Sequence, residues 1–192
     1  RSASHVSVQG DDQYLGQLQN IAKAAGIWIN IGSLAVRSEK QPNKYANRSL
    51  VIDAMGRIVA GYDKIHLFDV QLDTGESWRE SSTYEAGTEA VVADTPLGRM
   101  GLSICYDLRF PDLYSSLANA NAQILSVPAA FTVPTGKAHW HSLLRARAIE
   151  SAAFVVAAAQ SGQHEDGRET YGHSLVIDPW GEILLDMGEG EG

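Results

Sequence analysis

Cys105 is the sole cysteine of the chain, and its position decides what it can do. It ends the run Met100-Gly101-Leu102-Ser103-Ile104 and directly precedes Tyr106-Asp107-Leu108-Arg109-Phe110-Pro111, the approach to a helix. A strand-to-helix turn projects a side chain outward and lets backbone N–H groups, such as that of Tyr106, face a developing oxyanion. A single cysteine forms no internal disulfide and is either an inert packed thiol or a nucleophile. The turn is the setting of a nucleophile. Because the thiolate is the reactive form, a neighbouring cation or base is then required. Lys64, in Tyr62-Asp63-Lys64-Ile65-His66-Leu67-Phe68, stands where a strand runs into a loop. A lysine there can hold a tetrahedral oxyanion and favour the thiolate, or it can be a solvated surface residue. Glu80, in Trp78-Arg79-Glu80-Ser81-Ser82-Thr83, is open to the same two readings, a partner in the chemistry or an exposed loop charge.

The other polar candidates read differently. His139 and His141 lie two apart on one helical segment, which points them to different faces and argues against a shared metal. His173 reads as a cap on its strand. Arg145, Arg147 and Glu150 read as a salt-bridged helix face, with the alternative that one arginine reaches a substrate carboxylate. The glycines are scattered at turns and form no phosphate-binding loop. No metal or organic cofactor is expected.

These side chains must be held by a regular frame. Asp11 and Asp12 can cap a helix whose apolar residues Tyr14, Leu18, Ile21, Ala22 and Ala25 keep a 3.6-residue period, with Gly26 as its stop. A β-rich run, residues 27–36, follows, then a polar loop over 37–47. Strands over 49–53 and 57–62 join at Met55-Gly56 as a hairpin. From Ala90 a second set begins. It has a strand pair over 90–94 and 99–104, a helix opened by Pro111, and a buried strand over 124–128. A long helix over 137–152 with Trp140, Leu143, Leu144 and Ala148 on one face comes next. A buried strand over 154–159 and a hairpin of 174–178 with 182–186, turning at Pro179-Trp180-Gly181, complete it.

The two sets are copies. Ser49-Leu50-Val51-Ile52-Asp53 with Gly56 and Ile58 matches Ser174-Leu175-Val176-Ile177-Asp178 with Gly181 and Ile183 at identical spacing. Each copy follows a helix, a buried strand and a polar loop in that order. Two related halves bury best as two sheets face to face with helices outside, an α+β fold forming a four-layer α-β-β-α sandwich with an internal two-fold repeat. The second copy opens with strand, helix and strand (99–128). The first has only residues 1–10 ahead of its helix, so the repeat expects a further βαβ unit before Arg1. The ending Gly188-Glu189-Gly190-Glu191-Gly192 likewise reads as cut in open loop, which makes the expectation one domain over 1–192, truncated at both ends.

Bulk properties bound the partners. The chain has 192 residues, 44% of them hydrophobic and 20% charged, which suits a soluble domain with a real core. A net charge of −8 disfavours nucleic acid and anionic membrane as partners. No apolar run has membrane-spanning length and no basic-then-apolar leader opens the chain.

Five segments together resemble the nitrilase (carbon–nitrogen hydrolase) superfamily, and within it the Nit-type amidases. They are Asp63-Lys64-Ile65-His66-Leu67-Phe68; Glu80-Ser81-Ser82-Thr83; 101–111 around Cys105; His139-Trp140 with Leu144-Arg145-Ala146-Arg147-Ala148-Ile149-Glu150; and Tyr171-Gly172-His173-Ser174 with Asp178-Pro179-Trp180-Gly181. They fall in the family's order and span nearly the whole chain. The resemblance implies a Glu–Lys–Cys triad with a second glutamate. Cys105 takes the nucleophile's place, Lys64 the oxyanion-stabilising place, Glu80 that of the second glutamate, and the Tyr106 backbone N–H joins Lys64 in the oxyanion hole. The triad's general-base glutamate follows a proline at the end of an early strand. No Pro-Glu occurs in residues 1–10, and its counterpart in the repeat is Pro128-Ala129. The base is therefore expected upstream of Arg1, and this stretch alone is expected to be poorly active. His141 and Asp112 depart from a pattern in which relatives carry glutamate.

The function so implied is hydrolysis of the terminal amide of a small carboxylated molecule through a thioester on Cys105, with release of ammonia. The stretch 157–162 with 171–174 resembles deaminated glutathione amidases most. An ω-amidase acting on 2-oxo acid amides is the alternative, and Phe131, Thr132 and Thr135 are the expected pocket lining. A reading of another class is a non-catalytic nitrilase-fold binding protein or an inactive fragment. A cytoplasmic homodimer is expected of the full-length protein.

Overall fold

The computed structural model describes residues 13–71, 77–165 and 167–190. The chain divides into two compact units, residues 1–89 and 90–192, so the boundary falls where the second set of elements begins.

In the first unit, helix α1 (Gln13–Ala25) ends at Gly26, whose φ of 65° lies in the left-handed region that glycine occupies without penalty. The expected capping residues Asp11 and Asp12 lie outside the described residues. Strands β1 (Ile29–Arg37), β2 (Tyr45–Ile52) and β3 (Ile58–Asp63) form an antiparallel meander. A short β4 (Asp69–Gln71) pairs with β5 (Ser77–Arg79), and β6 (Tyr84–Glu85) adds parallel to the start of β2. Leu15 and Ala22 of α1 pack with Ile31, Leu34, Leu50 and Ile52 from the sheet. Tyr14 and Ile21, expected on the buried stripe, are 61% and 51% exposed. The helical period was right, but the inward stripe is rotated by about one residue, to Leu15, Leu18 and Ala22.

In the second unit, β7 (Val92–Thr95), β8 (Gly98–Leu102), β9 (Ile124–Ser126), β10 (Phe154–Ala157), β13 (Leu175–Ile177) and β14 (Ile183–Asp186) form one sheet in the order β14-β13-β10-β9-β8-β7. Its centre, β8-β9-β10, is parallel and its flanks antiparallel. Helix α2 (Pro111–Asn119) packs on β8, and helix α3 (Val133–Ser151) packs on β10, β13 and α2. Trp140, Leu144 and Ala148 are the buried face of α3. That helix begins four residues before Lys137 because Pro134 fits its first turn. A further hairpin, β11 (Ser161–Gln163) with β12 (Glu169–Tyr171), occupies the loop before β13. Strand β10 was expected to be buried throughout. Instead it alternates, with Phe154 and Val156 44% and 42% exposed, because α3 covers one face of it only.

The repeat holds to the level of register. Ile29 faces Ile52 and Ile31 faces Leu50 in the first copy, while Val155 faces Ile177 and Ala157 faces Leu175 in the second. Both hairpins carry the same irregularity, between Val51 and Ile52 and between Val176 and Ile177. The turns match as well. Asp53 Oδ1 accepts the N–H groups of Met55 and Arg57, and Asp178 Oδ1 those of Trp180 and Glu182, at 2.8–2.9 Å. Each turn glycine lies against its own helix. Gln19 Nε2 donates to the Gly56 carbonyl and Arg145 Nε to the Gly181 carbonyl, both at 2.8 Å. A β-carbon at Gly56 would meet the Gln19 carbonyl oxygen at 2.6 Å, and one at Gly181 would meet Ile149 Cδ1 at the same distance. Gly56 is therefore required by close approach to backbone as well as by φ, and Gly181 by its φ of 85°, since the Ile149 side chain can shift.

Candidate active site

Lys64 follows the last residue of β3, and the sheet edge fixes its backbone. Its N–H donates to the Asn47 carbonyl at 2.9 Å and its carbonyl accepts from Gly87 N–H at 2.8 Å. A β-carbon on Gly87 would lie 2.1 Å from the Asp63 carbonyl oxygen, so only glycine lets that segment close over Lys64. The side chain is 3% exposed, and Nζ donates to Glu80 Oε2 at 2.5 Å. Glu80 opens a single 3₁₀ turn after β5 and is itself 14% exposed. Its Oε2 also accepts from Phe68 N–H at 2.6 Å, and its Oε1 from Asn47 Nδ2 at 3.1 Å. Lys64 and Glu80 are thus neither the surface lysine nor the loose loop charge of the alternative readings. They form a buried ion pair in which three donors orient the carboxylate.

Cys105 leaves β8 through Ser103 and Ile104 and opens a 3₁₀ turn over Cys105–Arg109. Its φ is 51°, a left-handed conformation that costs a residue with a β-carbon roughly 1–2 kcal/mol. The turn is pinned from several directions. Cys105 N–H donates to the Pro128 carbonyl at 2.9 Å, and the buried Asp107 carboxylate accepts Ile104 N–H at 2.8 Å. Beneath it, Ser103 Oγ donates to the Ser126 carbonyl at 2.8 Å and bonds the Tyr114 hydroxyl at 2.9 Å. Complete burial pushes the Tyr114 phenol above its ordinary range, so it stays protonated. From α3, Arg147 Nε and Nη2 both donate to the Leu108 carbonyl, at 3.1 and 2.9 Å, while Nη1 pairs with Glu150. Backbone strain persists only where its surroundings over-determine it, and here they do.

The remaining candidates also have places. Tyr106 packs edge-on to Phe110, and the Arg109 guanidinium lies 6.0 Å from the Tyr106 ring centre and 5.7 Å from that of Phe131. Phe131 is 6% exposed and pairs with Trp140 at 4.8 Å. Thr132 and Thr135 share a hydroxyl–hydroxyl bond of 2.7 Å at the start of α3. His139 Nδ1 accepts from Arg109 Nη2 at 3.2 Å, whereas His141 bonds Asp186, so the two point apart as their spacing expects. Arg145 and Arg147, the latter 5% exposed, are committed to backbone carbonyls, whereas Arg109 is the last residue of the Cys105 turn itself. Sequence reasoning did not find Asn47, Gly87 or the Arg147 clamp on Leu108. Each acts on a residue 17 to 39 positions away, and no local pattern announces such a contact.

Residues 2–192 match the profile of the carbon-nitrogen hydrolase family. A deaminated glutathione amidase of Yersinia enterocolitica is 46% identical over 181 residues, which is 94% of this chain and 63% of that protein. The crystal structure of the C. elegans NitFhit protein superposes with a TM-score of 0.87 at 45% identity, covering 93% of this chain and 44% of that one. A mutant of the amidase from Nesterenkonia sp. AN1, carrying the acetamide moiety of fluoroacetamide on its active-site cysteine, superposes with a TM-score of 0.79 at 25% identity, over 94% and 64% of the two chains. The chain spans 42% to 65% of the length of the curated relatives it matches. With the Lys64–Glu80 pair in one unit and the strained Cys105 turn in the other, this chain belongs to the carbon-nitrogen hydrolase family.

Proposed function

We propose that residues 1–192 belong to one amidase domain, in which Cys105 attacks the terminal amide of a small carboxylated molecule. The observation that carries this is the Cys105 turn, a non-glycine residue held at φ 51° by hydrogen bonds from three elements. An inert core thiol has no need of such a backbone. In the reaction, Cys105 Sγ bonds to the amide carbon while its proton passes to a general base. The oxyanion is stabilised by Lys64 Nζ and the Tyr106 N–H. The C–N bond breaks as the base returns the proton to the leaving ammonia, and a thioester remains. Water then attacks with the help of the same base, which gives the acid and restores the thiol. Glu80 holds the Lys64 ammonium in place. The base is the triad glutamate that the family resemblance implies.

A deaminated-glutathione-like substrate is the preferred amide, supported by the relatives that bear that name. Arg109, at the end of the nucleophile's turn, suits the substrate carboxylate, with Phe131, Thr132 and Thr135 lining the acyl pocket. The same reading carries a cytoplasmic homodimer that needs no cofactor; among the described residues no helix is long and apolar enough to cross a membrane. The test is ammonia release from deaminated glutathione and from 2-oxoglutaramate by the protein at its natural length. Faster turnover of deaminated glutathione is expected, and preference for 2-oxoglutaramate would move the assignment to an ω-amidase. If no small amide releases ammonia, a non-catalytic nitrilase-fold binding protein takes its place.

A further inference from the structure

We propose that His141, His173 and Asp186 form a binding site for a zinc-type divalent metal ion, apart from the residues assigned to amide hydrolysis. Three elements bring the donors together. His141 comes from the exposed side of α3, His173 from the residues just before β13, and Asp186 from the end of β14. His141 Nε2 lies 3.0 Å from Asp186 Oδ2, and His173 Nδ1 lies 2.9 and 3.2 Å from Oδ1 and Oδ2. One ligand atom from each residue falls within 4.8 Å of the others. Tetrahedral ligands about 2 Å from a zinc ion stand about 3.3 Å apart, so a rotation of side chains that closes about 1.5 Å suffices. Two imidazoles and a carboxylate suit zinc and its neighbours and leave a fourth position for water.

The donors are already oriented. Asp186 Oδ1 accepts Gly188 N–H at 2.9 Å, which leaves Oδ2 turned between the histidines. Tyr171 stacks on the His173 ring at 4.3 Å, and the missing side chain of Gly136 lets that tyrosine lie against α3, since a β-carbon there would be 2.3 Å from its ring. The His173 backbone, at φ 55°, is fixed by its N–H to the Gly188 carbonyl at 2.6 Å and by Trp140 Nε1 donating to its carbonyl at 2.8 Å. Outer partners of this kind set ring orientation in metal sites. Side chains 18–32% exposed leave an open path for an ion. Bound metal would clamp α3 to the β13–β14 hairpin.

The test is a calorimetric titration of metal-free protein with Zn2+, repeated with Co2+ to read the ligands from the visible spectrum. Expected is one ion per chain and no thiolate charge-transfer band. His141→Gln and Asp186→Asn should each weaken binding by more than about a hundredfold, beyond what loss of an outer partner costs. Zn2+ at a hundredfold excess over its dissociation constant should raise the folded-to-unfolded ratio about a hundredfold in the wild type, and not in the variants. The proposal is overturned if the wild type takes up no ion, if uptake survives both substitutions, or if a thiolate band appears and uptake is lost in Cys105→Ala. Because these readouts do not involve turnover, they are independent of whether the amidase assignment stands.

Discussion

Cys105→Gly and Cys105→Ala should both lose ammonia release, by about 10⁴-fold or more as expected for removal of a nucleophile, and yet differ in stability. Both lack the thiol, but only glycine occupies φ 51° without strain. The glycine variant should therefore be more stable than the alanine variant by about 1 kcal/mol, the left-handed penalty less the extra entropy of an unfolded glycine. Chemical denaturation of the two measures this difference directly. Equal stability would mean that the turn does not hold the residue in the left-handed region. Retained turnover in either variant would remove Cys105 from the reaction.

The second large effect concerns Lys64 and Glu80. Lys64→Met leaves the Glu80 carboxylate inside the protein with its other two donors but without its counter-charge, and Glu80→Gln leaves a buried ammonium facing a neutral amide. Each should destabilise the protein by about 3 kcal/mol, the scale for breaking a buried pair from one side. The double variant removes both charges and should recover a large part of that loss. Activity should follow a different pattern. In the role proposed for Lys64, loss of its ammonium removes one oxyanion donor and should cost about 10²–10³ in kcat, so Lys64→Met and the double variant should be equally inactive. A double variant that regained turnover along with stability would reduce the pair to a structural role.

Much of this site was legible in the sequence because its parts are local. Cys105 announces itself by ending an apolar run and preceding a proline-opened helix, and Lys64 by following the second strand of a clear hairpin. The repeat was legible for the same reason, since Asp53 and Asp178 each bond backbone groups two and four residues on. Long-range contacts were not legible. Nothing near Arg147 says that it grips the Leu108 carbonyl, and nothing near Asn47 says that it orients Glu80. The hairpins β4–β5 and β11–β12 escaped notice because their strands are three residues long and mostly polar, with no alternation to reveal them. In α1 the period of 3.6 was plain, but Tyr14 and Ile21 are as apolar as the residues truly buried, and only the sheet decides which stripe turns inward.

The central claim is that an acyl group passes through Cys105. The direct measurement is mass spectrometry of the protein quenched in acid during turnover of its preferred amide, followed by peptide mapping. The prediction is a mass gain equal to the amide less ammonia, on the peptide containing Cys105 and sensitive to hydroxylamine as a thioester is. Turnover with no acyl group on that peptide, or with the acyl group on another residue, would contradict it.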